Sequence, residues 1–284
     1  TLSSRKNREK RRLMSPSLHA SVSDALNNFS RFGVMPIIKT ANGCLIYAGG
    51  DDVCAAMPLK NCLEAAFEIQ KAYTIPFAEV KTTKIDGNIK LKKVDSINPN
   101  ASKICKGLGE SKGISISAAI LIVHQKEALR DVISSAHKVL NNISKDELGR
   151  NACTIRLMKR SGGERDFSCK WDARGVFNES LSVWESFKYL IAQKELKKIS
   201  SSFLYRIGQY KEEFLPLLDD IDLLRKSLSY YIQHTSTQKL EGMELIDLVN
   251  IVGNVVFRKN NGVLEFVPDG AIVANFMAGG EDNE

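Results

Sequence analysis

The chain has 284 residues, enough for two domains, and its 43% hydrophobic and 26% charged residues are typical of a globular protein with a packed core. No apolar run approaches the roughly 20 residues of a membrane-spanning helix, so we expect no contact with a membrane. The net charge of +7 favours anionic partners, such as nucleotides or nucleic acid, without identifying one.

The cysteines indicate a cytoplasmic protein. None belongs to a CxxC pair and most lie in apolar surroundings, as is typical of reduced core thiols, so a zinc site has little support. There are six: Cys44, Cys54, Cys62, Cys105, Cys153 and Cys169. Thr1 is not followed by a signal-peptide pattern, so we also expect the chain to start inside a longer protein.

The N-terminal part begins with a basic stretch without periodicity. Residues 1–14 are predicted to be a flexible segment, which could be a solvated linker or a nucleic-acid-binding arm. A helix is predicted to start at Ser15, because proline follows and apolar residues then recur at helical spacing. Gly33 and Pro36 are predicted to interrupt this helix, although Ile37 and Ile38 could continue it as a broken last turn.

Residues 45–57 are predicted to form a β-hairpin with an acidic tip. Two apolar runs flank Gly49, Gly50, Asp51 and Asp52. Both glycines are expected to supply positive φ angles and to let a ligand approach the backbone. The adjacent carboxylates are hard oxygen ligands of the kind that bind Mg²⁺ or Mn²⁺ beside substrate phosphates. The alternative is an ordinary solvated turn between two strands.

The remaining elements complete a recognisable order. A helix is predicted from Pro58 to Tyr73, and an apolar strand over residues 114–123. Between them, residues 75–113 form a lysine-rich insertion without a clear element, either functional or a surface loop. A further helix is predicted over residues 131–143, and a hairpin with strands over residues 153–158 and 166–171.

This order predicts an α+β protein. With one more strand in front it becomes a ferredoxin-like βαββαβ sheet with helices on one face, over residues 15–175. Residues 1–14 offer no candidate for that first strand. Residues 176–284 are predicted to form a separate α-helical domain, with helices over residues 180–199, 203–218, 221–231 and 242–257.

Other catalytic motifs are absent from the sequence. No histidine stands beside an aspartate, and there is no HExxH, GxSxG or Walker A pattern, which leaves the acidic hairpin as the candidate site. Lys112, in the insertion, could neutralise phosphate charge there. His19 could face the same cleft, or it could simply pack on the sheet.

Several segments, in the right order, resemble the large cyclase-like subunit of type III CRISPR effector complexes, with the III-B branch fitting best. They are residues 15–19, 45–53, 114–124, 128–132 and 159–163. The resemblance covers about residues 13–175, and the helical remainder is similar to the C-terminal domain of that family. Its N-terminal half, with its frequent HD nuclease, is not represented in this chain.

The resemblance implies a prokaryotic enzyme related to polymerases and diguanylate cyclases. It implies that target RNA, bound to the CRISPR RNA complex, activates conversion of ATP into cyclic oligoadenylate, or joining of ATP to S-adenosylmethionine. Asp51 and Asp52 would hold Mg²⁺ or Mn²⁺, and Gly49 and Gly50 would shape the nucleotide pocket. A further metal-binding aspartate is expected on the first strand, supplied by another chain or by the N-terminal half of the same subunit.

Two other functions stay open. The domain over residues 15–175, which the resemblance identifies with the palm domain of that family, could be catalytically silent and serve only as an architectural subunit of an RNA complex with its partner subunits. It could also be a diguanylate cyclase, although the second acidic residue of that family's signature is glutamate, whereas this hairpin continues Asp52-Val53.

Overall fold

The computed structural model describes residues 15–82, 89–93, 104–109, 114–160, 162–235, 240–260 and 262–279. The chain divides into two compact units, one up to Ser115 and one from Ile116. Within the described ranges, no helix is both long and apolar enough to span a membrane.

The first unit starts with a helix that is longer than predicted. It consists of α1 (Pro16–Asn28), π-helical turns (Phe29–Val34) and α2 (Met35–Thr40). The Ser15 hydroxyl caps α1 by accepting a hydrogen bond from the Leu18 N–H at 3.2 Å. The chain is not broken at Gly33 and Pro36 but continues through Ile37 and Ile38, as the alternative allowed, because Pro36 lies in the first turn of α2, where proline is tolerated.

The predicted hairpin is confirmed. Strands β1 (Cys44–Gly49) and β2 (Asp52–Ala56) pair antiparallel, with Gly49 opposite Asp52. Helix α3 (Leu59–Tyr73) follows Pro58, also as predicted. At its end, the Tyr73 ring meets Phe29 edge to face with centroids 5.0 Å apart, which packs α3 against the π-helical turns.

The lysine-rich insertion forms a sheet, so the prediction that it lacks a clear element was wrong. Its three antiparallel strands lie in the order β4-β3-β5, with β3 Phe77–Thr82, β4 Ile89–Lys93 and β5 Ile104–Lys106. The sheet is tied to α1, because the Asn28 side chain donates to the Lys106 carbonyl at 3.0 Å and the Lys106 amine bonds the Ser21 hydroxyl. Lys112 lies outside the described residues.

The second unit contains a three-stranded sheet made of β6 (Ala118–Ile122), β7 (Ala152–Met158) and β8 (Glu164–Lys170). Strands β6 and β7 are parallel, and β7 and β8 form the predicted antiparallel hairpin. Strand β6 is shorter than predicted, because residues 114–117 lie outside the ladder. The predicted helix after it is confirmed as α4 (Leu129–Lys138), continued by π-helical turns (Val139–Glu147).

The rest of the second unit is mainly helical, as predicted. Its helices are α5 Val183–Glu195, α6 Ser201–Arg206, α7 Lys211–Phe214, α8 Ile221–Thr235, α9 Gly242–Val256 and α10 Asp269–Ala278. A small hairpin was not predicted; it consists of β9 (Phe257–Asn260) and β10 (Val263–Phe266). The architecture is therefore α+β.

The core of the second unit joins strand β8 to helix α5. The Phe167 ring stacks on Phe187 with centroids 4.3 Å apart, and Trp184 meets Phe167 edge to face at 5.0 Å. All three side chains are fully buried. This shared core explains why the compact units divide at residue 115, whereas the predicted domains divide at residue 175. The predicted domain limits stay predictions.

Among the described strands, the β1–β2 hairpin and strand β6 each have an outer edge without a partner strand. In the described part of the chain, β1 and β2 form a sheet by themselves, and β6 pairs only with β7. An unpaired strand edge presents a row of backbone N–H and C=O groups that another strand can bond. The expectation that a first strand comes from another part of the protein stays a prediction.

The cysteine thiols differ strongly in exposure, which predicts their order of reaction. Cys44 is exposed, whereas Cys62 and Cys169 are buried, and burial raises the pKa of Cys62 to about 11 and that of Cys169 to about 12. Because the thiolate is the nucleophile, iodoacetamide at pH 8 is expected to alkylate Cys44 about 100-fold faster than either buried thiol. Peptide mass spectrometry measures this, and equal rates for Cys44 and Cys169 would contradict the burial described.

Candidate functional site

The acidic hairpin ends in a two-residue turn formed by Gly50 and Asp51. Gly50 has a φ angle of +62°, and Asp51 is not in the positive-φ region. Glycine at the first turn position with positive φ is the pattern of a type II′ turn, which suits the twist of a hairpin. No described atom comes within 4 Å of the place where a Gly50 Cβ would lie, so the tip is open to a ligand.

Position 49 requires glycine because of a neighbouring side chain, not because of its backbone conformation. Its φ is not positive, so the expectation that both glycines supply positive φ holds only for Gly50. A Cβ at Gly49 would lie 2.5 Å from the Tyr47 hydroxyl oxygen and 2.8 Å from Tyr47 Cζ. The ring of Tyr47 therefore extends along the strand over Gly49, in space that a side chain would take.

A β-bulge determines which side chains share the face of the acids. Tyr47 pairs with Cys54 and Leu45 pairs with Ala55, so Ile46 is an extra residue in β1. Directly opposite residues in antiparallel strands point to the same face. Tyr47 and Asp52 therefore lie on one face, whereas Leu45 lies on the other with Ala48, Val53 and Ala55.

The two carboxylates are exposed at the tip. Asp51 lies close enough to the end of α3 to act on Tyr73, whose pKa is raised mainly by burial and further by the negative charge of Asp51. Two adjacent carboxylates fit Mg²⁺ or Mn²⁺ in ligand type. They do not complete a protein site, since no group of three potential metal ligands occurs among the described residues.

Of the other predicted site residues, Lys112 lies outside the described residues, and His19 lies on α1, outside the hairpin. His19 is exposed in the second turn of α1, where its backbone N–H donates to the Ser15 carbonyl at 3.0 Å. The interpretation that His19 packs on the sheet was therefore wrong, and its part in the site stays a prediction. Sequence reasoning missed Tyr47, although its position two residues before Gly49 places it on the same strand face.

The loop between β7 and β8, one of the segments that carry the family resemblance, is also described in part. The Lys159 N–H donates to the Gly163 carbonyl at 3.2 Å, and the Gly162 N–H donates to the Lys159 carbonyl at 3.0 Å. The Lys159 ammonium group lies 4.9 Å from the ring centroid of exposed Tyr205. This is a surface cation–π contact.

Comparisons with known proteins agree with this architecture. The Cmr2 subunit of the CRISPR Cmr system of Pyrococcus furiosus is 29% identical over 89% of this chain and 26% of its own length. The corresponding subunit of Saccharolobus solfataricus is 25% identical over 88% of this chain and 26% of its own length. The chain thus spans about a quarter of these relatives.

Solved structures share the fold. A type III-B Cmr-beta structure in the apo state aligns with 94% of this chain and 26% of its own chain, with a TM-score of 0.59 and 16% identity. The complex bound to cognate target RNA aligns with 94% of this chain and 27% of its own, with a TM-score of 0.60 and 18% identity. The family model for the second palm domain of Cas10/Cmr2 matches residues 2–154, more than half of the chain. The chain therefore belongs to the Cas10/Cmr2 family and contains its second palm domain.

Proposed function

We propose that the hairpin of β1 and β2 is the metal- and nucleotide-binding element of a nucleotidyltransferase that converts ATP into cyclic oligoadenylate within a type III CRISPR complex. The observation that supports the proposal is that two exposed carboxylates, Asp51 and Asp52, lie at the same hairpin tip as Gly50, whose backbone is accessible to a ligand. Oxygen ligands and an accessible backbone at one tip are what a triphosphate with its divalent ion requires.

In this proposal the residues of the chain bind and orient the substrate. Asp51 and Asp52 supply ligand oxygens, and Gly50 lets the phosphates come close to the turn. Mg²⁺ or Mn²⁺, when bound, neutralises phosphate charge and lowers the pKa of an attacking ribose hydroxyl. Lys112 and His19 are proposed to add positive charge or a hydrogen bond around the phosphates.

The partners follow from the size of the relatives. Since the chain covers 26% of the Pyrococcus furiosus subunit, the proposal takes the remaining metal ligand and the first palm strand from the rest of the same protein. The proposed partners are the other subunits of a type III ribonucleoprotein, CRISPR RNA and an activating target RNA. S-adenosylmethionine is a second substrate to be tested.

One observation favours a second candidate, an architectural palm without catalysis. The described residues contain no group of three potential metal ligands, so they do not form a complete protein site by themselves. A diguanylate cyclase is the third candidate, which the Asp52-Val53 sequence disfavours.

Product analysis separates these functions. The full-length subunit in its assembled complex is incubated with target RNA and ATP or GTP, with and without S-adenosylmethionine, and the products are identified by mass spectrometry. We expect an adenylate product from ATP that depends on target RNA. A guanylate product would support the diguanylate cyclase instead, and no product from either nucleotide would support the architectural palm.

A further inference from the structure

We infer that Tyr47 is a third side chain of the hairpin site, and that its phenolic hydroxyl donates a hydrogen bond to a ribose or phosphate oxygen of the substrate nucleotide. The inference rests on the proposed function and adds a substrate-contacting residue to it. Three observations support it: the strand register, the packing of the ring on Gly49 and the exposure of the ring.

The register places Tyr47 with the acids. Counting from the turn, the first pair is Gly49 with Asp52, and the third is Tyr47 with Cys54. Because side chains alternate between the two faces, Tyr47 and Asp52 are diagonal neighbours on the same face. Without the bulge at Ile46, Leu45 would share this face. The bulge instead places Leu45, which is half-buried, on the opposite face, while Tyr47 keeps its place beside Asp52.

The packing on Gly49 sets the direction of the ring. The Tyr47 hydroxyl oxygen and Cζ are the atoms that a Cβ at Gly49 would meet, at 2.5 and 2.8 Å. The hydroxyl end of the ring thus points toward the turn, where Asp51 and Asp52 stand, and not back along the strand. A donor at that end is aimed at the oxygens of any phosphate that the acids hold through a metal ion.

The exposure of Tyr47 leaves its hydroxyl available. The residue is 55% exposed, and no described group forms a hydrogen bond with its hydroxyl. A large aromatic side chain in this state contributes little apolar burial to the fold. A substrate that meets Asp51 and Asp52 from the open face would meet this hydroxyl as well.

A purely structural alternative exists and can be separated by experiment. An aromatic side chain that covers a glycine in a neighbouring position of a strand can stabilise the sheet by itself. In that case only the ring matters, and Tyr47→Phe would be silent. If the hydroxyl contacts the nucleotide, Tyr47→Phe keeps the ring over Gly49 and loses the contact.

The test compares Tyr47→Phe, Tyr47→Ala and Gly49→Ala in the full-length subunit within its complex, with Tyr189→Phe as control. Tyr189 is 49% exposed on α5, far along the chain from the hairpin. We expect Tyr47→Phe to lower kcat/KM for ATP about 10- to 100-fold with an unchanged unfolding temperature, as for loss of a hydrogen bond to a charged group. Tyr189→Phe should leave both quantities unchanged.

Gly49→Ala provides an independent arm. The added methyl group displaces the Tyr47 ring, so Gly49→Ala should lower kcat/KM as much as Tyr47→Ala does. Because both changes remove the same contact, the double variant Tyr47→Ala, Gly49→Ala should have a kcat/KM no lower than that of either single variant. Wild-type kcat/KM in Tyr47→Phe would overturn the inference. ATP affinity is measured in the same preparations: wild-type protein that binds ATP without converting it refutes only the proposed reaction, whereas an unchanged ATP dissociation constant in Tyr47→Phe refutes the role of Tyr47.

Discussion

Replacing Asp51 and Asp52 together by alanine is expected to lower ATP conversion by about 1,000-fold or more, because the substrate phosphates then lose both hairpin ligands of their metal ion. Neither carboxylate forms an ion pair or hydrogen bond within the described residues, and both are exposed, so the fold should tolerate the change. The measurement is the amount of product formed by the assembled complex with ATP and target RNA.

The matched control for this variant is Asp24→Ala. Asp24 is an exposed aspartate on α1 in the same unit, outside the hairpin. It should leave product formation at the wild-type rate. Assembly of the complex, followed by gel filtration, should be the same for all three proteins. Unchanged product formation by the Asp51→Ala, Asp52→Ala variant would rule out the hairpin as the catalytic element.

Asn254→Ala is expected to cost the second unit about 3–5 kcal/mol of its free energy of unfolding. Asn254 is fully buried in α9, and its carboxamide is fully bonded. Its oxygen accepts from the N–H groups of Phe177 and Asn178 at 2.8 and 3.1 Å, and its nitrogen donates to the Asn178 carbonyl and the Ser186 hydroxyl at 3.3 and 3.0 Å. Alanine leaves two backbone N–H groups without an acceptor, and a cavity.

Tryptophan fluorescence during denaturant unfolding measures this loss selectively. The chain has two tryptophans, Trp171 and Trp184, and both belong to the second unit. Asn141→Ala is the control, since Asn141 is exposed and only accepts a 3.3 Å hydrogen bond from Lys145, so its unfolding midpoint should stay near that of the wild type. A midpoint shift no larger for Asn254→Ala than for this control would contradict the account.

Gly175→Ala is a second test of the hydrogen bonds made by Asn254. A Cβ on Gly175 would lie 2.2 Å from the carboxamide carbon of Asn254, so Gly175→Ala should also destabilise the second unit. In the Asn254→Ala background that clash is gone. The double variant should therefore lose less stability than the sum of the two single losses, whereas strict additivity would indicate that the two positions do not share this contact.

Local sequence signals predicted the elements that depend on local chemistry. The Gly50-Asp51 turn, the helix after Pro58 and the β7–β8 hairpin each carry their turn residues and periodicity within a short window, and the structure confirms them. The insertion sheet was missed although residues 89–92 alternate apolar residues with lysine, because frequent lysines and polar residues around them outweighed that short signal.

Features that depend on distant partners could not be predicted. Asn254 bonds residues that lie 76–77 positions away in the chain, and nothing in the α9 sequence distinguishes it from a surface asparagine. The bulge at Ile46 decides that Leu45 lies on the face opposite Tyr47 and Asp52, whereas an unbroken alternation would have placed Leu45 on their face. The acids could be found from sequence, and the alternation along β1 also places Tyr47 on their face, but only the register shows that Leu45 is not there as well.

The most direct test of the central claim is Mn²⁺-dependent ATP binding by the full-length subunit, with free Mn²⁺ measured by electron paramagnetic resonance. The claim is that Asp51 and Asp52 hold the metal ion of a bound nucleotide. It predicts that wild-type protein binds ATP only when Mn²⁺ is present, and that Asp51→Ala with Asp52→Ala abolishes this Mn²⁺-dependent binding. The same Mn²⁺-dependent ATP affinity in both proteins would contradict it.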